Sequence, residues 1–182
     1  VTTGPDAVAE AAGFIDRTLQ NEGAWYRADD VGSRFGGALG SYGSSMGAVR
    51  GTIRDALRKF KDLDHDAVVQ LASALWSQPK PGARPVFERR QAAVVLLQTR
   101  VALLRHSDLT RVEGFLRSAH APELADPLVT DVLRPLLDRL EHRNRQRAET
   151  VLARWSADPD ARLRAAAATL SHQKENDDGR SL

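Results

Sequence analysis

The stretch from Leu71 to Leu97 constrains the fold more than any other. An apolar segment, Leu71-Ala72-Ser73-Ala74-Leu75-Trp76, runs into Ser77-Gln78-Pro79, and a second segment opens on Phe87-Glu88-Arg89-Arg90 and closes on Ala92-Ala93-Val94-Val95-Leu96-Leu97. Pro79, Pro81 and Pro85 lie between them with Gly82. Proline has no N–H and cannot continue a helix, while glycine lets the chain turn. Val68, Leu71, Ala72, Leu75 and Trp76 recur at helical spacing and share one face. Phe87, Val94, Leu97, Val101 and Leu104 do the same on the second segment. Glu88 falls in the first turn, where a negative charge suits the helix N-terminus. The stretch reads as one helical hairpin.

The rest of the chain repeats this pattern. Val8, Ala11, Ala12, Ile15 and Leu19 predict a helix over 6–20; Trp25, Val31 and Phe35 mark a second. Glycines 36, 37, 40 and 43 with Ser41, Ser44 and Ser45 predict a loop over 36–45. The loop lacks the GxxxxGK[ST] pattern and no strand precedes it, so a nucleotide P-loop is not indicated. Ser44 or Ser45 can cap a helix over 46–60, whose expected buried stripe is Met46, Val49, Ile53, Leu57 and Phe60. Asp64 or His65 starts the hairpin above, and Ser107 or Asp108 caps a helix carrying Leu109, Val112, Phe115 and Leu116. After the break at His120-Ala121-Pro122 comes a stripe of Leu124, Leu128, Val132, Leu136 and Leu140, with a kink expected at Pro135. Ala148, Val151, Leu152 and Trp155 predict a short helix. Asp158-Pro159-Asp160 starts the last one, with acid for the helix dipole and proline for the first turn.

Hairpins of roughly 35–45 residues match the period of HEAT-like repeats, in which each unit buries its apolar face against its neighbours. The expected fold class is all-α, an α-solenoid of HEAT-like hairpins (an ARM/HEAT superhelix) forming a single domain over residues 1–172, with a disordered polar tail over 173–182. A globular helix bundle fits the same periodicity.

Composition narrows the chemistry. The 182 residues contain no cysteine, which excludes disulfides, thiolate metal sites and a cysteine nucleophile. No apolar run approaches the roughly 20 residues of a membrane span. The start of the sequence shows no basic region followed by an apolar core, so a cytoplasmic protein is expected. His106, His120 and His142 have no ligand-like spacing, so no metal is expected. The formal charge is only +2, so where the arginines lie matters more than their sum. Arg50, Arg54, Arg58 and Lys61 form one basic stripe, and Arg134, Arg139, Arg143, Arg145, Arg147 and Arg154 form a second cluster. Such stripes are either solvated surface or a track for a nucleic-acid backbone.

Three local patterns resemble the DNA alkylation repair family, the AlkD-type glycosylases of HEAT-like fold. Tyr42-Gly43 through Val49-Arg50 is similar to the family's glycine-preceded helix with its Val-Arg pair. Leu75-Trp76, Pro79 and Phe87-Glu88-Arg89-Arg90-Gln91-Ala92-Ala93 resemble its "LW…P…E.R.AA" hairpin. Arg154-Trp155-Ser156-Ala157-Asp158-Pro159-Asp160 with Leu163-Arg164-Ala165-Ala166 is similar to its "W…D….RR.A" stretch. Order and spacing agree over residues 6–172 apart from the insert 80–85. The resemblance implies a curved stack of repeats whose basic concave face grips duplex DNA. It also implies hydrolysis of the N-glycosidic bond of N3- or N7-alkylated purines, with no metal or cofactor. Alkylation places positive charge on the base and makes it a good leaving group, so the protein need only stabilise the cationic sugar and place a water.

By the same resemblance, Asp126 of Pro122-Glu123-Leu124-Ala125-Asp126 falls on the catalytic carboxylate, and Arg164 on the arginine that contacts the DNA backbone. Arg50, Arg54, Arg89, Arg90 and Arg162 are the further expected DNA contacts. Pro122 stands at the position of the family's tryptophan, Ala161 and Arg162 stand where an aromatic usually precedes the arginine, and the family's final repeats have no counterpart before Leu182. From position alone, Asp126 before Pro127 reads as a helix N-cap, while Trp76 and Trp155 read as core. Three functions remain open: an alkylpurine glycosylase, a DNA-binding member without catalysis, and a protein-binding helical repeat. If the chain is bacterial, the first two imply association with the nucleoid.

Overall fold

The computed structural model describes residues 5–178. It is all-α: among the described residues there is no strand, only an isolated parallel bridge between Gly40 and Val86. No described helix is long and apolar enough to cross a membrane. The chain forms two compact units that divide between Leu103 and Leu104.

The first unit contains α1 (Pro5–Asn21), α2 (Trp25–Arg34), α3 (Met46–Lys59), α4 (His65–Trp76) and α5 (Phe87–Thr99). The caps follow from the sequence. The Ser45 hydroxyl accepts from Ala48 N at 3.2 Å, and Asp64 accepts from Ala67 N at 2.9 Å. The hairpin is α4 packed on α5, with α1 and α3 closing round it. Ile15, Leu19, Val49, Ile53, Leu71, Leu75 and Leu96 form its interior. Three details differ from expectation. Met46 is 37 % exposed, because it opens α3 before the helix reaches the core. The α5 stripe does not continue as α-helix to Leu104; α5 stops at Thr99 and a 3-10 turn, Val101–Leu103, follows. And α5 is buried all round, from Phe87 to Arg90 and from Ala92 to Leu97, because neighbours cover every side of it.

A buried acid organises this unit. Glu88 is 1 % exposed and accepts from the Ser41 hydroxyl at 2.5 Å, from Tyr42 N at 2.9 Å and from Gly43 N at 2.9 Å. The glycine-serine loop thus wraps a carboxylate supplied by α5, so its anion-cradling geometry is already occupied from within. Gly43 has φ +77°, and a Cβ there would lie 2.1 Å from the Ala24 carbonyl oxygen, so only glycine fits. Tyr42 donates its hydroxyl to Asp16 at 2.6 Å, and Arg89 Nη1 reaches the same oxygen at 2.6 Å. Burial, reinforced by Asp16, pushes the Tyr42 phenol up to about 12.

The second unit contains the 3-10 turn His106–Asp108, α6 (Leu109–Arg117), α7 (Pro122–Pro127), a π-helical turn Leu128–Leu133, α8 (Arg134–Asp138), α9 (His142–Ser156) and α10 (Ala161–Asp178). The Asp108 carboxylate accepts from Arg105 N at 2.7 Å and so holds the 3-10 turn rather than α6. The kink expected at Pro135 is taken up by the π turn lying between Pro127 and Pro135. Each proline removes a backbone donor and crowds the carbonyl four residues back, and the wider π turn relieves both problems. The short helix expected around Trp155 is longer, running the full span of α9. Pro159 precedes the cap instead of entering the first turn: Asp160 accepts from Arg162 N at 3.0 Å, and α10 starts at Ala161. Trp155 is fully buried and donates its indole N–H to Glu113 at 2.8 Å. The helix backbone of α10 extends to Asp178, and residues 179–182 of the expected tail lie outside the described residues.

Candidate functional site

Asp126 lies inside α7, not at its start. Ala121 is the N-cap residue and Pro122 the first helical position, so the N-cap reading of Asp126 does not hold. The proline pair explains this. Pro122 suits the first turn, where its missing N–H is not needed, and the chain continues through Pro127 by opening into the π turn. Asp126 is exposed, and among the described residues its carboxylate makes no hydrogen bond or ion pair.

It faces a cavity of about 800 Å³ built wholly within the second unit. One wall is Pro122, Ala125, Asp126, Val129 and Thr130, a single face of α7 and the π turn. Opposite stand Arg162, Ala165, Ala166 and Thr169, a single face of α10. Leu116, Ala119, His120 and Ala121, at the end of α6 and the loop after it, complete the lining. The volume lies within the ~300–1,000 Å³ of small-ligand clefts. No aromatic ring lines it apart from the His120 imidazole. The structure therefore brings Asp126 and Arg162 to one cavity.

Arg164 does not line this cavity. Its guanidinium turns back to the carbonyls of Asp158 and Pro159, at 2.7 and 2.8 Å, although the side chain is exposed. Arg162 is gripped by Asp160 in a fork, Nε to Oδ1 at 3.1 Å and Nη2 to Oδ2 at 3.0 Å. Its side-chain hydrogen bond with Arg162 leads in holding the Asp160 carboxyl below the usual range. Behind this pair, Arg117 bridges Asp158 (2.6 and 3.0 Å) and Glu113 (2.8 Å), and Arg154 also reaches Glu113 at 2.6 Å. Asp158, bonded first by Arg117 and then by the Asp160 N–H, is held down at about 2. The α9–α10 corner that presents Arg162 is thus a set of interlocked charges, in which each bond limits the freedom of the next.

In the first unit, Arg50, Arg54 and Arg58 are exposed along α3. With Ile53, Leu57, Val95, Gln98, Thr99 and Arg100 they line a groove of about 530 Å³. Asp55 is the acid beside them, 2.5 Å from Arg58 and 3.6 Å from Arg54. Arg89 and Arg90, expected at a DNA surface, are buried at 6 % and 4 % exposure. Arg89 donates to Asp16 and to the Ala74 carbonyl (2.8 Å), and Arg90 donates to the Trp76 carbonyl (3.1 Å) with its guanidinium 4.8 Å over the Trp76 ring. Burial lowers the Arg90 pKa to about 10. The two arginines satisfy carbonyls at the end of α4, which the Pro-rich insert leaves without helical donors. The second basic cluster is partly turned inward in the same way: Arg134, Arg139 and Arg145 donate to the carbonyls of Thr169, Leu104 and Asp138.

Reading the sequence singled out Asp126 and Arg162 but not His120, Thr130 or Thr169. The signal was present. Positions 122, 125, 126, 129 and 130, and positions 162, 165, 166 and 169, are each one helical face. His120 is the single non-glycine residue with positive φ (+61°) among the described residues. Among the described residues, no three His, Asp or Glu side chains converge as metal ligands would.

A family model described as DNA alkylation repair enzyme matches residues 15–180. No curated protein and no solved structure matches the chain.

Proposed function

The chain belongs to the DNA alkylation repair enzyme family, and from that premise we propose that it is a DNA glycosylase that hydrolyses the N-glycosidic bond of N3- or N7-alkylated purines in duplex DNA. The observation that carries this is the Asp126 carboxylate, unpartnered among the described residues on the wall of a cavity that Arg162 lines from the other side. A fixed negative charge beside the sugar lowers the energy of the cation that develops as the base leaves. The same carboxylate accepts a hydrogen bond from the attacking water. Arg162 offers its remaining donors to a phosphate next to the lesion, and Arg164, exposed two residues on along α10, supplies a separate backbone contact. Arg50 and Arg54, with Arg58, supply further phosphate contacts from the first unit. Arg89 and Arg90 act from inside by holding the end of α4.

In this reading residues 1–172 work as one HEAT-like repeat domain, in the cytoplasm, on nucleoid DNA if the organism is bacterial. No cofactor or metal takes part. The test is release of base from a duplex carrying N7-alkylguanine, with Asp126→Asn as control. Release by the wild type and not by the variant supports the assignment, whereas release that persists in the variant overturns it.

A second reading is a DNA-binding member without catalysis. It is favoured by Pro122, which lines the cavity where the family's tryptophan is expected, and by Ala161 at the start of α10. It predicts salt-sensitive binding to the same duplex without base release.

A further inference from the structure

We propose that His120 is a second catalytic residue of this site, the group that accepts the proton from the attacking water. The inference rests on the glycosylase reading above. Three observations carry it. His120 lines the same cavity as Asp126. It is exposed, so its imidazole exchanges protons with solvent. Its backbone is held at φ +61°, in the link between α6 and α7. Histidine, like asparagine, enters this left-handed region more readily than most residues, and an unusual φ at a site is a reason to look for function.

The chemistry explains why one carboxylate is not enough. When the C1′–N bond of an alkylated purine breaks, its electron pair goes to the ring nitrogen and the base leaves neutral. Water forms the new C1′–O bond while the base is still departing, and it must release one proton as it does so. If Asp126 took that proton, it would lose its charge while the sugar is still cationic. A neutral imidazole takes it instead, leaves Asp126 anionic throughout, and passes the proton to solvent. Of the charged groups, Asp126 of α7 and Arg162 of α10 line the cavity with His120, and Glu123 stands in the first turn of α7. Two carboxylates on the same helix favour the imidazolium and Arg162 opposes it.

The test is single-turnover release of N7-methylguanine by the wild type and by His120→Asn from about pH 5.5 to about pH 8, with duplex affinity measured alongside. Asparagine keeps the left-handed preference and removes the titrating ring. The wild-type rate falls as pH drops and the imidazole takes up a proton. The variant is slower by about 100-fold, the low end for a positioned base, with a flat profile and unchanged duplex affinity. A variant that keeps the wild-type rate and inflection overturns the role of His120 while the glycosylase reading stands. A rate loss matched by an equal loss of affinity also overturns it, in favour of a purely structural residue. No release by the wild type at any pH overturns both.

Discussion

Replacing Glu88 by glutamine tests whether the glycine-serine loop is held by charge or by its own backbone. The side chain keeps its size, so packing is unchanged. The cheapest placement of the amide nitrogen is at Oε2, where it faces the Tyr42 N–H and leaves the Ser41 and Gly43 bonds intact. An N–H left without its acceptor costs about 1–3 kcal/mol, and this one is partly buried, so the lower half of that range applies. The two surviving bonds lose their charge assistance, about 1 kcal/mol each. The sum is about 3 kcal/mol. With a urea slope of about 2 kcal/mol/M this moves the midpoint by about 1.5 M. Glu88→Ala strips all three donors, though Gly43 N keeps the Ser41 hydroxyl at 2.9 Å, and should cost about 5 kcal/mol. Urea denaturation followed by circular dichroism reads the midpoint, and amide exchange at Tyr42 and Gly43 reads the loop itself. A glutamine variant within about 0.5 kcal/mol of wild type, the ordinary range of a surface change, would refute the reasoning and show that Gly43 and its neighbours hold the loop unaided.

Three further outcomes are expected. The Asp158 carboxyl sits at about 2 against an ordinary 3.8, so its contribution to stability is complete above about pH 4 and is lost as pH falls towards 2. Asp158→Asn should flatten that part of the acid-unfolding curve, and an unchanged curve would count against the Arg117 bridge. Arg50→Ala and Arg54→Ala should each lower the slope of log affinity against log salt by about 0.9 in duplex-binding titrations, if each arginine neutralises one phosphate; equal slopes would remove this groove from the DNA surface. Ala165→Phe, which narrows the cavity from α10, should spare release of N7-methylguanine and reduce release of a bulky N7 adduct about tenfold or more. Equal loss for both adducts would show that the cavity does not receive the alkyl group.

Much of the helical plan was legible, because it depends on local chemistry. Proline at 79, 81 and 85, the Ser45 and Asp64 caps, and the spacing of Val68 to Trp76 act over a few residues, and the helices begin and end close to where those signals put them. Trp76 and Trp155 also read correctly as core. Charge was harder to place. Arg50 and Arg89 look alike in one dimension, yet one lines an exposed groove and the other sits behind Tyr42 and Asp16, 73 positions from its ion-pair partner. Asp126 read from its neighbours as a cap, because a proline follows it. It is an interior helical residue because Pro122, four positions earlier, had already started the helix.

The sequence by itself determined the all-α class, the helical hairpin and the family, since periodicity, breakers and short motifs are properties of neighbouring residues. Only the tertiary structure decided which acids and arginines meet. It paired Glu88 with the glycine loop, turned Arg164 back onto the α9–α10 link, and brought His120, Asp126 and Arg162 to one cavity. The physical reason is that such meetings depend on how helices far apart in the chain pack, and packing is settled by burial across the whole unit, not by any local pattern.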